Sequence, residues 1–98
     1  MRTMIRITTP VEAGNKAFGD GTLKRTIMGM IEKHKPEAAY FFPDRGIRTA
    51  IFVIDLQDPS DIPAIAEPLF ENLNAAVEFL PVMNVEDLKK GLQKAQSS

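Results

Sequence analysis

The stretch from Glu37 to Asp55, EAAYFFPDRGIRTAIFVID, constrains the fold more than any other part of the chain. It is rich in β-branched and aromatic residues and is broken once, at Pro43-Asp44-Arg45-Gly46. Proline fixes φ, aspartate can bond its own backbone and glycine tolerates a positive φ, so this tetrapeptide predicts a turn. The flanking residues, about 37–42 and 47–55, are therefore expected to form two antiparallel strands. The second strand is apolar on both faces, which is typical of a central strand covered on both sides.

Length and composition limit the class of protein. Ninety-eight residues, 44% of them hydrophobic, predict a single domain over residues 1–98. No apolar run approaches the roughly 18 residues of a membrane span, and the N-terminus lacks the apolar segment of a signal peptide. The chain has no cysteine, which excludes disulfides and thiolate metal sites and fits a reducing compartment. We therefore expect a cytoplasmic protein with no membrane partner.

Charge is unevenly distributed along the chain. Residues 1–50 carry nine Lys/Arg and five Asp/Glu, whereas residues 51–98 carry three and eight, so the halves are +4 and −5. Either the halves interleave and pair locally, or they form a self-complementary surface that favours a dimer. The net charge of −1 argues against a nucleic-acid partner, because such binding needs a basic surface.

The segments before the hairpin predict a strand and two helices. Thr3–Thr8 alternates apolar and polar residues as a strand does. The sequence Thr9-Pro10-Val11-Glu12 has the form of a capping box, which would begin a short helix. That helix is expected to end at Gly19, and a longer one to run from Thr22 to a stop at Pro36.

The segments after the hairpin predict a helix, a strand and a final helix. Asp58 has the form of a helix start, and Pro68 within that helix predicts a kink. Ala75–Met83 is predicted as the last strand, at an edge of the sheet because Pro81 cannot donate to a ladder. Asn84 is expected to cap a final helix that runs to about residue 95.

This order of elements predicts an α+β fold of the ferredoxin-like, split βαβ kind with an added C-terminal helix. The four-stranded antiparallel sheet would carry both main helices on one face. The other face would keep apolar side chains from Met4, Leu80 and part of the set formed by Tyr40–Phe42 and Phe52, and an uncovered apolar face usually indicates a partner. Two such sheets packed face to face would cover it.

Four segments carry a resemblance to a known family: PEAAYF at 36–41, GIRTAIFVIDL at 46–56, IPAIAEPLF at 62–70 and PVMNVEDLKKGL at 81–92. They resemble a family of small uncharacterised bacterial proteins, similar in turn to the dimeric α/β-barrel group. That group includes cofactor-independent monooxygenases, muconolactone isomerase, haem-binding relatives and stress-response proteins. The resemblance implies a ferredoxin-like fold and a homodimer, and it carries no catalytic motif. The haem-binding relatives use an axial histidine, whereas the single histidine here ends a predicted helix, so no cofactor is expected.

Arg6 and Glu78 are the most informative polar pair. Each lies in the middle of a strand, on the face opposite the helix-facing residues, and the two strands are neighbours in the predicted topology, so the pair could meet across the ladder. One reading is an ion pair buried between two sheets, which fixes register more than it adds stability. The other is the floor of a cavity, where Arg6 holds an anionic or carbonyl group and Glu78 acts as a base.

Three further residues are candidates for ligand binding. Tyr40 either packs in the core or offers its hydroxyl to a ligand. Arg48 begins the second strand of the hairpin, and whether it shares a face with Tyr40 depends on the loop register. His34 is a general base or, more simply, a last-turn histidine that complements the helix C-terminus. Asn15 is a weaker candidate. The spacing of histidines and carboxylates predicts no metal site.

These observations favour a homodimer that binds a small organic molecule, either between sheet and helices or inside a dimer barrel. Two alternatives stay open: a cofactor-independent enzyme of the monooxygenase or isomerase kind, and a structural or regulatory dimer without a ligand.

Overall fold

A computed structural model describes residues 1–97 as an α+β domain. The predicted α+β class and the four-stranded antiparallel sheet are confirmed. The elements follow in the order β1 (Arg2–Thr9), α1 (Val11–Asp20), α2 (Thr22–His34), β2 (Ala38–Asp44), β3 (Ile47–Asp55), a 3-10 turn (Pro59–Asp61), α3 (Ile62–Leu73), β4 (Ala76–Pro81) and α4 (Val85–Ser97).

The sheet has the strand order β2-β3-β1-β4, so β1 and β3 are its central strands. β1 pairs with β3 on one side and with β4 on the other, both antiparallel, as the sequence predicts. β4 lies at the edge, where Pro81 needs no ladder donor.

The hairpin turn is shorter than the predicted tetrapeptide. Asp44 pairs with Ile47, so Pro43 and Asp44 belong to β2 and only Arg45 and Gly46 turn. Both turn residues have positive φ, 53° and 80°, as a two-residue type I′ turn requires. This register places Tyr40 opposite Ile51 and Arg48 opposite Pro43, so Tyr40 and Arg48 lie on opposite faces of the sheet.

Two helix boundaries differ from the prediction. The capping box at Thr9 is wrong: α1 begins after Pro10 with no side-chain cap, because Thr9 is still in β1 and pairs with Arg48. α1 also passes Gly19 and ends at Asp20, and Gly21 caps it in the left-handed conformation with a φ of 84°.

The predicted cap of the last helix is confirmed. The side-chain oxygen of Asn84 accepts from the backbone N–H of Asp87, and the Asp87 carboxylate accepts from the backbone N–H of Asn84. This reciprocal pair begins α4.

The core fills one face of the sheet. Ile5, Ile7 and Phe52 are no more than 1% exposed and pack with residues of α1, α2 and α3, so these helices cover the same face. The ring of Phe41 meets that of Phe52 edge to face, with centroids 5.6 Å apart. Of the set formed by Tyr40–Phe42 and Phe52, Phe52 belongs to the covered face, because it is the register partner of Ile5.

The other face, called the open face below, is not covered within one chain. It carries Ile51 and Val53 half-buried, and Tyr40 65% and Leu80 39% exposed. The prediction that β3 is covered on both faces is therefore wrong for a single chain, because all of the packed helices lie on one side.

α4 extends away from the domain. The radius of gyration is 15.6 Å, whereas about 13 Å is typical of a compact chain of this length. The longest dimension is 54 Å and the shortest 17 Å. None of the α4 residues is buried, and its apolar side chains Val85, Leu88 and Leu92 are exposed. Nothing in the described part of the chain covers this stripe.

Candidate functional site

The five candidate residues fall in three separate places. Arg6, Tyr40 and Glu78 lie on the open face, Arg48 lies on the helix-covered face, and His34 lies at the end of α2. The structure brings together only the first three.

Tyr40, Ile51, Arg6 and Glu78 form one row across the four strands, because each is the register partner of the next. The predicted Arg6–Glu78 neighbourhood is confirmed, with Arg6 Nε 3.7 Å from Glu78 Oε1. At a strand spacing of about 4.8 Å, Tyr40 stands roughly 10 Å from Arg6 along the row.

Asp44 is the closer partner of Arg6, and the sequence reading missed it. The Arg6 guanidinium donates to the Asp44 carboxylate from Nη2. A tetrapeptide turn puts Asp44 outside the strand, whereas in the structure Asp44 is the last residue of β2, on the open face and within reach of Arg6. The exposed side-chain fractions are 28% for Arg6, 39% for Asp44 and 60% for Glu78. Within one chain this is a partly solvated cluster and not a buried pair.

His34 lines a cleft of about 370 Å³ together with Lys33 and Asp61. Partial burial of the ring, with a smaller contribution from the charge of Lys33, lowers the pKa of His34, and the carboxylate of Asp61 opposes this shift. The ring is half-buried on the last turn of α2, in agreement with the last-turn reading.

An apolar cleft lies between the sheet and the helices. Its volume is about 380 Å³. Its floor is the sheet row Ile7, Ala50 and Phe41, and Leu23 and Ile27 of α2 form the opposite wall. Thr9 and Arg48 contribute polar groups to the lining. A mainly apolar cavity with a few polar groups is the usual form of a small-molecule site.

Arg48 reaches this cleft because α1 makes room for it. Nη1 of Arg48 donates to the side-chain oxygen of Asn15 over 3.1 Å. Gly14, one residue before, is buried beneath the same side chain: a Cβ built on it would lie 2.7 Å from Arg48 Nη1 and 3.2 Å from Cδ. The weak candidate Asn15 therefore belongs to the surroundings of Arg48.

Sequence reasoning missed the apolar walls of the cleft and the part played by Gly14. Leu23 and Ile27 are identified in the sequence only as members of the stripe by which the helix packs on the core. A lone glycine inside a helical pattern is a signal of close approach, and it was available at position 14.

Within residues 1–97 no group of three or more histidine, cysteine or acidic side chains is placed to hold a metal ion. In the same range, no helix combines the length and the apolar character that crossing a membrane requires. No protein-family model matches the chain, and comparison with curated proteins also finds no match.

Proposed function

We propose that this chain is a ferredoxin-like domain that forms a homodimer and binds a small organic molecule in the cleft between sheet and helices. The cleft itself carries the proposal. Its volume of about 380 Å³ lies within the roughly 300–1,000 Å³ of ligand sites, and its lining is mostly apolar.

The chemistry of the lining favours binding over catalysis. On the cleft's side of the sheet, the polar side chains of the lining are the Arg48 guanidinium and the Thr9 hydroxyl, because Thr49 belongs to the opposite face by its register with Thr8. These groups donate hydrogen bonds and orient a ligand, whereas acid–base catalysis uses a group whose pKa lies near the working pH. The enzyme alternative therefore receives no specific support from this cleft.

The ferredoxin-like assignment is supported by the chain order of the strands and helices and by the one-sided packing of the helices. The same arrangement supports the dimer, because the open face keeps Tyr40, Leu80 and half-buried β3 side chains without a cover. A folded domain seldom leaves a contiguous apolar face to water.

The size of the uncovered surface fits a second copy of the chain. Four strands about 4.8 Å apart, each roughly 20–30 Å long, present about 400–550 Å² of sheet. The exposed stripe of α4, about 20 Å long and 10 Å wide, adds roughly 200 Å². Together they approach the about 800 Å² per partner of a standard stable interface. We propose that the open faces pack together and that each α4 lies on its partner.

Sedimentation equilibrium tests the dimer. Leu80→Glu places a charge on the open face and should shift the protein toward a monomer of 10.9 kDa. Phe18→Glu is the matched control, because Phe18 is 71% exposed on α1, away from the open face, and should leave the dimer intact. A wild-type protein that is a folded monomer at micromolar concentration would overturn this part of the proposal.

Native mass spectrometry tests the ligand. Freshly purified protein should retain a small molecule, and Leu23→Trp, which fills the cleft from α2, should lose it. Met28→Trp is the control, since Met28 lies on the same helix, is exposed, and does not line the cleft. Wild-type dimer that never retains or binds a small molecule would favour the structural alternative.

A further inference from the structure

We infer that the ligand of the cleft is an anion, a small apolar carboxylate whose charged end is held by Arg48, and that Gly14 is the residue that positions Arg48. This inference rests on the proposed binding function and specifies its ligand class.

The guanidinium of Arg48 is only partly satisfied. Nη1 donates to Asn15, and within residues 1–97 Arg48 has no carboxylate partner. The two arginines of β1 differ in this respect: Arg2 pairs with Glu37 and Asp87, and Arg6 pairs with Asp44 and Glu78. Arg48 therefore keeps donors for an external acceptor.

The position of Arg48 favours an anion as that acceptor. The side chain is half-buried at an otherwise apolar cleft, where charge–charge interactions are screened less than at the surface. A guanidinium presents parallel N–H groups that match the two oxygens of a carboxylate. A ligand with an apolar body and one carboxylate would satisfy both the walls and the free donors.

Gly14 controls where the guanidinium lies. Because a Cβ at position 14 would come within 2.7 Å of Arg48 Nη1, any larger residue moves the flexible end of Arg48. Gly19 lies in the same helix, and a Cβ added there would meet no atom within 4 Å, so a larger residue at position 19 has no such effect. Helix propensity favours alanine over glycine at both positions. At position 14 this gain is opposed by the close contacts of the new Cβ, which would also lie 3.3 Å from Cγ2 of Thr9.

Two probes of the same shape separate charge from apolar contact: 2-naphthoate and its neutral isostere 2-naphthamide. The chain contains no tryptophan, so naphthalene fluorescence can be titrated against a low protein background. Wild-type protein should bind the carboxylate about tenfold or more tightly than the amide, because a charge-assisted hydrogen bond is stronger than a neutral one.

Variants test whether Arg48 causes the preference for the carboxylate over the amide. Arg48→Met and Gly14→Ala should reduce the tenfold preference to about twofold or less while the affinity for 2-naphthamide stays within about twofold. Arg45→Met and Gly19→Ala are the controls and should keep the wild-type preference, since Arg45 is exposed in the hairpin turn. Should Arg48→Met fail to fold, the Gly14→Ala and Gly19→Ala pair decides alone.

The outcomes separate the two proposals. If neither probe binds wild-type protein, the proposed binding function is wrong. If both bind equally and none of the variants changes their ratio, the cleft binds small molecules but the anion inference is overturned. A preference that survives in both Arg48→Met and Gly14→Ala also overturns it.

Discussion

The coupling energy between Arg6 and Glu78 reports whether a second chain covers the open face. Arg6 Nε and Glu78 Oε1 are 3.7 Å apart. Two unit charges at this distance attract by about 1 kcal/mol in water and by about 4–5 kcal/mol at an effective dielectric constant of about 20. In a single chain Glu78 is 60% exposed, so solvent screening should hold the coupling at roughly 0.2–1 kcal/mol.

Face-to-face packing of two sheets would remove that solvent. Removing one member of a buried pair costs about 3–5 kcal/mol, and removing both recovers much of the loss. Arg6 also keeps Asp44 when Glu78 is removed, which reduces the effect. For the proposed dimer we therefore expect a coupling of about 2 kcal/mol or more.

The assay is a double-mutant cycle of wild type, Arg6→Met, Glu78→Leu and the double variant, measured by urea denaturation at a concentration where the protein is dimeric. Glu86 and Lys89 on α4 provide the control cycle, because Nζ of Lys89 is also 3.7 Å from Glu86 Oε1 and both side chains are at least 70% exposed. That pair should couple by no more than about 0.5 kcal/mol. Equal couplings in the two cycles would refute the placement of Arg6 in a covered interface.

Three further predictions concern stability. Phe52→Ala should cost about 3–5 kcal/mol in a urea melt, because its ring is fully buried between sheet and helices; a cost below roughly 2 kcal/mol would contradict this packing. The pKa of His34 is lowered below 6.5 in the folded protein, so just below pH 6.5 the unfolded chain binds more protons than the folded one. Stability should therefore fall as the pH is lowered through 6.5. His34→Asn should remove this pH dependence of the urea midpoint. Asn84→Ala should cost about 1 kcal/mol of α4 stability, seen as faster amide exchange in residues 86–95, and Asn72→Ala, away from the cap, should not change that exchange.

The sheet was predictable because its signals are local. The β2–β3 hairpin is predicted by the aromatic and β-branched run from Glu37, and β1 by the alternation around Ile5. The proline at 81 predicts that β4 lies at an edge of the sheet. The Arg6–Glu78 adjacency followed from the topology alone. The length of the turn does not follow from the sequence, because aspartate is common both in turns and at strand ends. Placing Asp44 in β2 and not in the turn makes it a partner of Arg6.

The cleft could not be predicted from the sequence, for a different reason. Its volume depends on how far α2 stands from the floor formed by Ile7 and Phe41, and helix periodicity identifies a packing face but not a packing distance. Arg48 had no assigned face until the hairpin register was known. Gly14 signals that some side chain approaches α1 closely, but nothing local identifies Arg48, 34 positions further along the chain, as that side chain.

The position of β1 has a consequence for how the chain folds during synthesis. β1 is a central strand, yet its partners in β3 and β4 lie far along the chain, with Arg2 opposite Asp55 and Thr3 opposite Pro81. The strand therefore leaves the ribosome before both of its partners and stays unpaired until they emerge. The β2–β3 hairpin, in contrast, can close as soon as its own residues emerge. Contacts this distant in sequence slow folding. Until residue 81 has emerged, the apolar side chains of Ile5 and Ile7 lack part of their cover, which makes the nascent chain most exposed to aggregation in that interval.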